Sequence, residues 1–172
     1  CLMLKYLARR LLYSFRKDAV TIDALDNKQR NEESDMGNIK AVFVGTGMIG
    51  AGLAANAMLN GYQTVLYDVV PHEKMRQNIS HILDILVGAG AATREQADAA
   101  LNACHFSNDL EDAVKGANFV QECIPERLEL KKSTYATIQK VTGPDAIICS
   151  STSKLFPTKL QEGSLYPQSI LV

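Results

Sequence analysis

The run "VFVGTGMIGA" sets Gly45, Gly47 and Gly50 in a G-x-G-x-x-G frame, and about twenty residues later a second apolar run, "YQTVLY", ends at Asp68. A frame of this kind has a physical use at each glycine. Gly45 permits a tight turn, Gly47 lets backbone come close to a ligand phosphate, and Gly50 lets a following helix pack near a sheet. The amides around Met48 and Ile49, at the start of that helix, would meet an anion with the positive end of the helix dipole. A carboxylate at Asp68 would accept hydrogen bonds from the hydroxyls of an adenosine ribose. Read singly, the glycines could only turn the chain and Asp68 could only end a strand; together and in this order they describe a dinucleotide site. A carboxylate there repels a 2′-phosphate, and Val69 and Val70 offer no guanidinium to bind one, so NAD is expected in preference to NADP.

The site needs a strand before the glycines and a helix after them. "IKAVFVG" is a short β-branched run, "MIGAGLAANAMLNG" is small and helical up to Gly61, and "YQTVLYD" reads as a second strand. Two strands joined through a helix form a parallel βαβ unit. In "PHEKMRQNISHILDILVGAG" the apolar residues Met75, Ile79, Ile82, Leu83 and Leu86 recur at helical spacing, with Gly88 and Gly90 as stops. Thr93 and Gln96 form a capping box opening "TREQADAALNAC". A third strand is expected around His105 to Ser107, then a short helix in "DLEDAVKGA" with Asp109 at its N-terminus. "NFVQECIP" is strand-like, "ERLELKKSTYATIQKV" helical, and "DAIICSSTS" a strand running into a polar turn. The alternation predicts an α/β fold with a Rossmann-like, doubly wound parallel sheet.

The whole chain has 172 residues, 47% of them hydrophobic, which suits one ordinary domain with a full core. A formal net charge of -1, with no basic block beside aromatics, leaves out the electrostatic footprint of nucleic-acid binding. Cys1, Cys104, Cys123 and Cys149 are scattered without a C-x-x-C pair, so neither a zinc site nor a secreted disulfide framework is expected. Cys123 and Cys149 lie in strand-like runs and read as buried, inert thiols of an intracellular protein. Residues 1–37 differ from the rest. "CLMLKYLARRLLYSFRK" is basic and amphipathic, without the apolar length of a membrane span, and "NKQRNEESD" is polar. Two readings stand for this extension: a mitochondrial transit peptide, or upstream sequence translated ahead of Met36, with a cytoplasmic domain over residues 38–172.

The runs "VFVGTGMIGAG", "TVLYD", "QECIPERLELKK" and "SSTSKLFPTKL", in this order and spacing, resemble the NAD-binding half of the 3-hydroxyacyl-CoA dehydrogenase superfamily. The resemblance runs from Ile39 to the C-terminus and is greatest to the lambda-crystallin and L-gulonate 3-dehydrogenase type, with carnitine dehydrogenases similar. It implies oxidation of a 3-hydroxy acid to the 3-keto form, with hydride passing to NAD. It also implies roles for three further residues: Glu126 and Lys131 near the nicotinamide end of the cofactor, and Ser153 as the serine that hydrogen-bonds the substrate hydroxyl. Without it, Glu126 would only complement a helix N-terminus, Lys131 would be one of a solvated pair with Lys132, and Ser153 would belong to a polar turn.

In this family the proton of the 3-hydroxyl is taken by a histidine held by a glutamate, and that histidine follows the serine by about twenty residues, chemistry that suits an imidazole titrating near neutrality. His72, His81 and His105 do not match it. The expectation is a chain truncated at its C-terminus, lacking both the catalytic histidine and the helical domain that closes the cleft and makes the parent's homodimer. Acyl-CoA-using relatives carry lysines near the helix pair after the second strand. "ILVGAGAATREQ" has only Arg94, which favours a small hydroxy acid over an acyl-CoA. Two other readings remain open: a non-catalytic, crystallin-like NAD-binding module, and the β-hydroxyacid dehydrogenases, which place a catalytic lysine in a later helix.

Overall fold

The computed structural model describes residues 39–172, and the expectations for the N-terminal extension lie outside the described residues. Strand β1 (Lys40–Val44) is buried from Ala41 onward, as a central parallel strand covered on both faces must be. It leads through the glycine turn into α1 (Met48–Leu59), which buries Gly50, Ala51, Ala54, Ala55, Ala57 and Met58, all but the last small enough for close approach to the sheet. After Gly61, at φ 81°, the chain enters β2 (Gln63–Tyr67).

Helix α2 (His72–Gly88) buries Met75, Ile79 and Leu83, one residue per turn on one face. It runs through Gly88; the left-handed stop falls at Gly90, with φ 71°. Helix α3 (Arg94–Ala103) opens with the expected capping box, in which Thr93 accepts from the Gln96 amide and Gln96 from the Thr93 amide. β3 (His105–Ser107) and α4 (Leu110–Val114) follow, the latter capped by the Asp109 carboxylate, which accepts from the amides of Glu111 and Asp112. Then come β4 (Phe119–Glu122), α5 (Leu128–Thr142), β5 (Ile147–Ser150), the short α6 (Pro157–Gln161), a 3-10 turn (Pro167–Ser169) and β6 (Ile170–Leu171).

The six strands form one parallel sheet in the order β3-β2-β1-β4-β5-β6. Helices α1, α2 and α3 pack on one another, as do α4, α5 and α6, giving the two helical layers of a doubly wound Rossmann-like fold. Side chains alternate along β1: Val42 and Val44 join a core with Val120, Ile148, Tyr135 and Ile138, while Phe43 is buried toward the opposite face. The chain runs outward from β1 to β2 and β3, then returns to place β4 on the other side of β1. That reversal opens a crevice at the carboxyl ends of β1 and β4, where ligands bind in sheets of this topology.

Candidate cofactor site

The three motif glycines answer to three different constraints. Gly45 leaves β1 at φ 97°, and a Cβ there would lie 2.7 Å from the Cys123 carbonyl oxygen at the end of β4. A Cβ on Gly50 would lie 1.9 Å from the Gly45 carbonyl oxygen. Both are required by the fold. Gly47 is not: it has φ -64° and ψ -176°, values open to any residue, and a Cβ there would meet no atom within 4 Å. An exposed glycine that neither backbone nor packing demands fits a loop that a ligand's phosphates approach closely. Helix α1 has no side-chain cap and no acidic residue in its first turn, so its leading amides at Met48 and Ile49 are left to an external anion. These residues fit the pyrophosphate of a dinucleotide.

Asp68 ends β2 beside this loop. Its Oδ2 accepts from both the amide of Thr46, at 2.6 Å, and the Thr46 hydroxyl, at 2.8 Å. Its Oδ1 accepts from the Val69 amide at 2.7 Å. The carboxylate is half-buried, and with about four acceptor positions it retains one for a ribose hydroxyl.

The second cluster gathers at the carboxyl ends of β4 and β5. Glu122, the last residue of β4, is fully buried, and four donors converge on it. Its Oε1 accepts from the Lys131 ammonium at 2.5 Å and the Ile124 amide at 2.8 Å; its Oε2 accepts from the Tyr135 hydroxyl and from Ser150 Oγ at 2.8 Å. Burial, reinforced by this carboxylate, pushes the Tyr135 phenol well above its ordinary range, so it stays protonated and donates. Lys131 is 1% exposed and lies 3.5 Å from Glu126 Oε2, so it is not the solvated partner of Lys132 that composition alone suggested. Glu126, in the β4–α5 connection, accepts from the Thr152 hydroxyl. That hydrogen bond first, and Lys131 after it, hold its carboxyl below the usual range.

Thr152 is buried and its Oγ1 accepts from the Leu155 amide at 3.0 Å, a turn that leaves the neighbouring Ser153 exposed. Glu126, Lys131 and Ser153 therefore belong to the same end of the sheet. None of the three histidines joins them: His72 and His81 are on α2, His105 opens β3, and all are exposed. His81 lines a cleft of about 340 Å3 with Met48, Lys74 and Asn78.

Sequence reasoning passed over Glu122, Thr46, Thr152 and Tyr135. Glu122 did leave a trace: an acid inside "FVQECI", a run otherwise fit for burial, is tolerated only when paired.

Comparison with known proteins agrees with this geometry. The family model described as 3-hydroxyacyl-CoA dehydrogenase, NAD binding domain, matches residues 40–172. An L-carnitine dehydrogenase of Pseudomonas sp is 37% identical over 131 residues, covering 75% of this chain and 40% of that protein. The human lambda-crystallin homolog is 33% identical over 134 residues, covering 76% of this chain and 42% of its own. Among solved structures, 3-hydroxybutyryl-CoA dehydrogenase from Escherichia coli K12 superposes with a TM-score of 0.70 at 28% identity, covering 77% of this chain and 28% of that one. The chain thus spans less than half the length of these relatives. With the site built in this way, and by the match over residues 40–172, this chain belongs to the NAD-binding domain family of the 3-hydroxyacyl-CoA dehydrogenases.

Proposed function

We propose that this chain is the NAD-binding part of an oxidoreductase that takes a 3-hydroxy acid to its 3-keto form. Bound NAD supplies the hydride acceptor. Gly45, Gly47 and Gly50, with the amides of Met48 and Ile49, hold the pyrophosphate, and Asp68 accepts from the adenosine ribose. Glu126 and Lys131 line the nicotinamide end, and exposed Ser153 orients the substrate hydroxyl. The observation that carries the reading is Gly47, free of any contact that a side chain would disturb. Equilibrium titration with NAD tests it: wild type binds, Gly47→Ala binds at least about tenfold more weakly, and equal affinity of the two proteins would remove the basis for the assignment.

A small hydroxy acid is favoured over an acyl-CoA. Arg94, the first residue of α3 and the one cation in "ILVGAGAATREQ", is already engaged by Asp84 at 2.8 Å and by Asp98 at 3.6 Å, which disfavours it as a partner for CoA phosphates. The protein is proposed to act as a homodimer. Neither Cys104 nor Cys123 is in a disulfide, which supports the cytoplasm as the compartment. No helix among the described residues is long and apolar enough to cross a membrane.

A further inference from the structure

We infer that Thr46 is the positioning residue that sets Asp68 for the adenosine ribose and thereby fixes the preference for NAD over NADP; this rests on the ribose assignment of Asp68. Thr46 is the first variable residue of the glycine frame and is fully buried, although both neighbouring glycines border a ligand-facing turn. Its side chain has a definite task. The hydroxyl and the amide both donate to Asp68 Oδ2, at 2.8 and 2.6 Å, so that oxygen already accepts two hydrogen bonds. The Val69 amide takes one position on Oδ1, and the remaining one is where a ribose hydroxyl can be received.

Both ends of the contact are fixed from outside. Asn78 on α2 donates to the Thr46 carbonyl at 2.9 Å, so the loop cannot lift away from Asp68. Asn108, in the β3–α4 turn, donates to the carbonyls of Asp68 at 2.6 Å and Val70 at 2.8 Å, so the end of β2 cannot swing either. A carboxylate held by two donors on one oxygen keeps its rotamer when a cofactor arrives. That has two consequences. A ribose diol meets an acceptor already in place, without the ordering cost of a free side chain. A 2′-phosphate meets a negative charge that cannot rotate away, so repulsion is felt in full. Loss of the Thr46 hydroxyl relaxes both, weakening NAD and easing NADP.

The test is titration of NAD and NADP against wild type, Thr46→Val, Thr46→Ala, Thr46→Ser, Asp68→Ala and the Thr46→Val/Asp68→Ala double variant, with thermal melts to confirm folding. Thr46→Val keeps the branched shape, and Thr46→Ala provides a second hydroxyl-free variant should the first fold poorly. The expected result is a fall in the NAD:NADP affinity ratio on the order of tenfold in both, the usual worth of one hydrogen bond to an ionised group. Thr46→Ser restores the ratio. In the Asp68→Ala background the Thr46→Val change has no further effect on it, since Thr46 acts through that carboxylate. The inference is overturned if the hydroxyl-free variants weaken NAD and NADP equally, if serine does not rescue, or if the effect persists without Asp68. An Asp68→Ala ratio that matches wild type would overturn the ribose assignment as well; a changed ratio there beside an unchanged one in Thr46→Val would overturn the role of Thr46 alone.

Discussion

The Lys131 ammonium lies 2.5 Å from Glu122 Oε1, with the two side chains 1% and 0% exposed, so a complete ion pair is buried at the carboxyl end of β4. Two charges removed from water are tolerable only because they have each other and because Ile124, Tyr135 and Ser150 satisfy the remaining positions on the carboxylate. Breaking the pair from one side strands a buried charge. Glu122→Gln and Lys131→Met are each expected to lose about 3–5 kcal/mol of stability in urea unfolding, and the double variant less than the sum of the two. Additive losses would mean that the pair is not coupled.

The glycines separate by what opposes a side chain. Gly45→Ala places a methyl group at φ 97° and 2.7 Å from a carbonyl oxygen, and Gly50→Ala brings one to within 1.9 Å of another. Each is expected to cost at least about 1–3 kcal/mol, from backbone strain, overpacking or both. Gly47→Ala meets no atom within 4 Å and needs no change of backbone, so it should lose only the modest amount, up to about 1 kcal/mol, by which alanine is worse than glycine at a helix N-cap, while NAD affinity falls. Melting curves of the three variants with and without NAD check the contrast. Destabilisation by Gly47→Ala in the absence of NAD as large as that of Gly45→Ala would show that the fold, and not a ligand, requires that glycine.

How far this was legible in the amino-acid string depended on the range over which a feature is encoded. The capping box of Thr93 and Gln96, the Asp109 cap and the short β3 strand each follow from neighbours a few residues apart, and each was readable. So were the motif glycines and Asp68, because the βαβ unit joins them through one helix. The partners of Glu122 were not: Ser150 lies 28 residues away and Tyr135 13, and they meet it only because parallel register brings Glu122 opposite Ser150 and α5 folds back over both. Thr46 and Asn78, 32 residues apart, are likewise joined only after α2 has docked. Local chemistry announces caps, turns and periods; polar contacts between strand ends wait for the sheet to exist.

The thiols provide a check on burial at these strand ends. Burial pushes the Cys104 thiol up to about 12, against a weaker opposing pull from Arg76, and raises those of Cys123 and Cys149 as well. A thiol whose pKa is raised by folding contributes stability below the unfolded value of about 8.5, and that contribution fades as pH climbs through the folded value. At pH 8 iodoacetamide should therefore leave the peptides of the buried Cys104 and Cys149 unmodified in native protein and label both in denaturant, as read by mass spectrometry, with half-buried Cys123 less protected than either. Rapid native labelling of Cys104 would contradict its burial.

Glu126 tests the site's electrostatics in the opposite direction. Donation from the Thr152 hydroxyl, and after it the Lys131 charge, favour the ionised form, so the folded pKa lies below the unfolded value of about 4.3. The resulting contribution to stability is complete above that unfolded value and is lost as pH falls through the lower folded one. Wild type should therefore exceed Glu126→Gln in melting temperature at pH 6–7, by a small margin because the side chain is about a third exposed, and the margin should shrink as the solution is acidified below about pH 4. Carbon-detected NMR of the Glu126 carboxyl group gives the same quantity directly, with a midpoint below that of a free glutamate. A midpoint at or above the ordinary value would mean that Thr152 and Lys131 do not hold the charge.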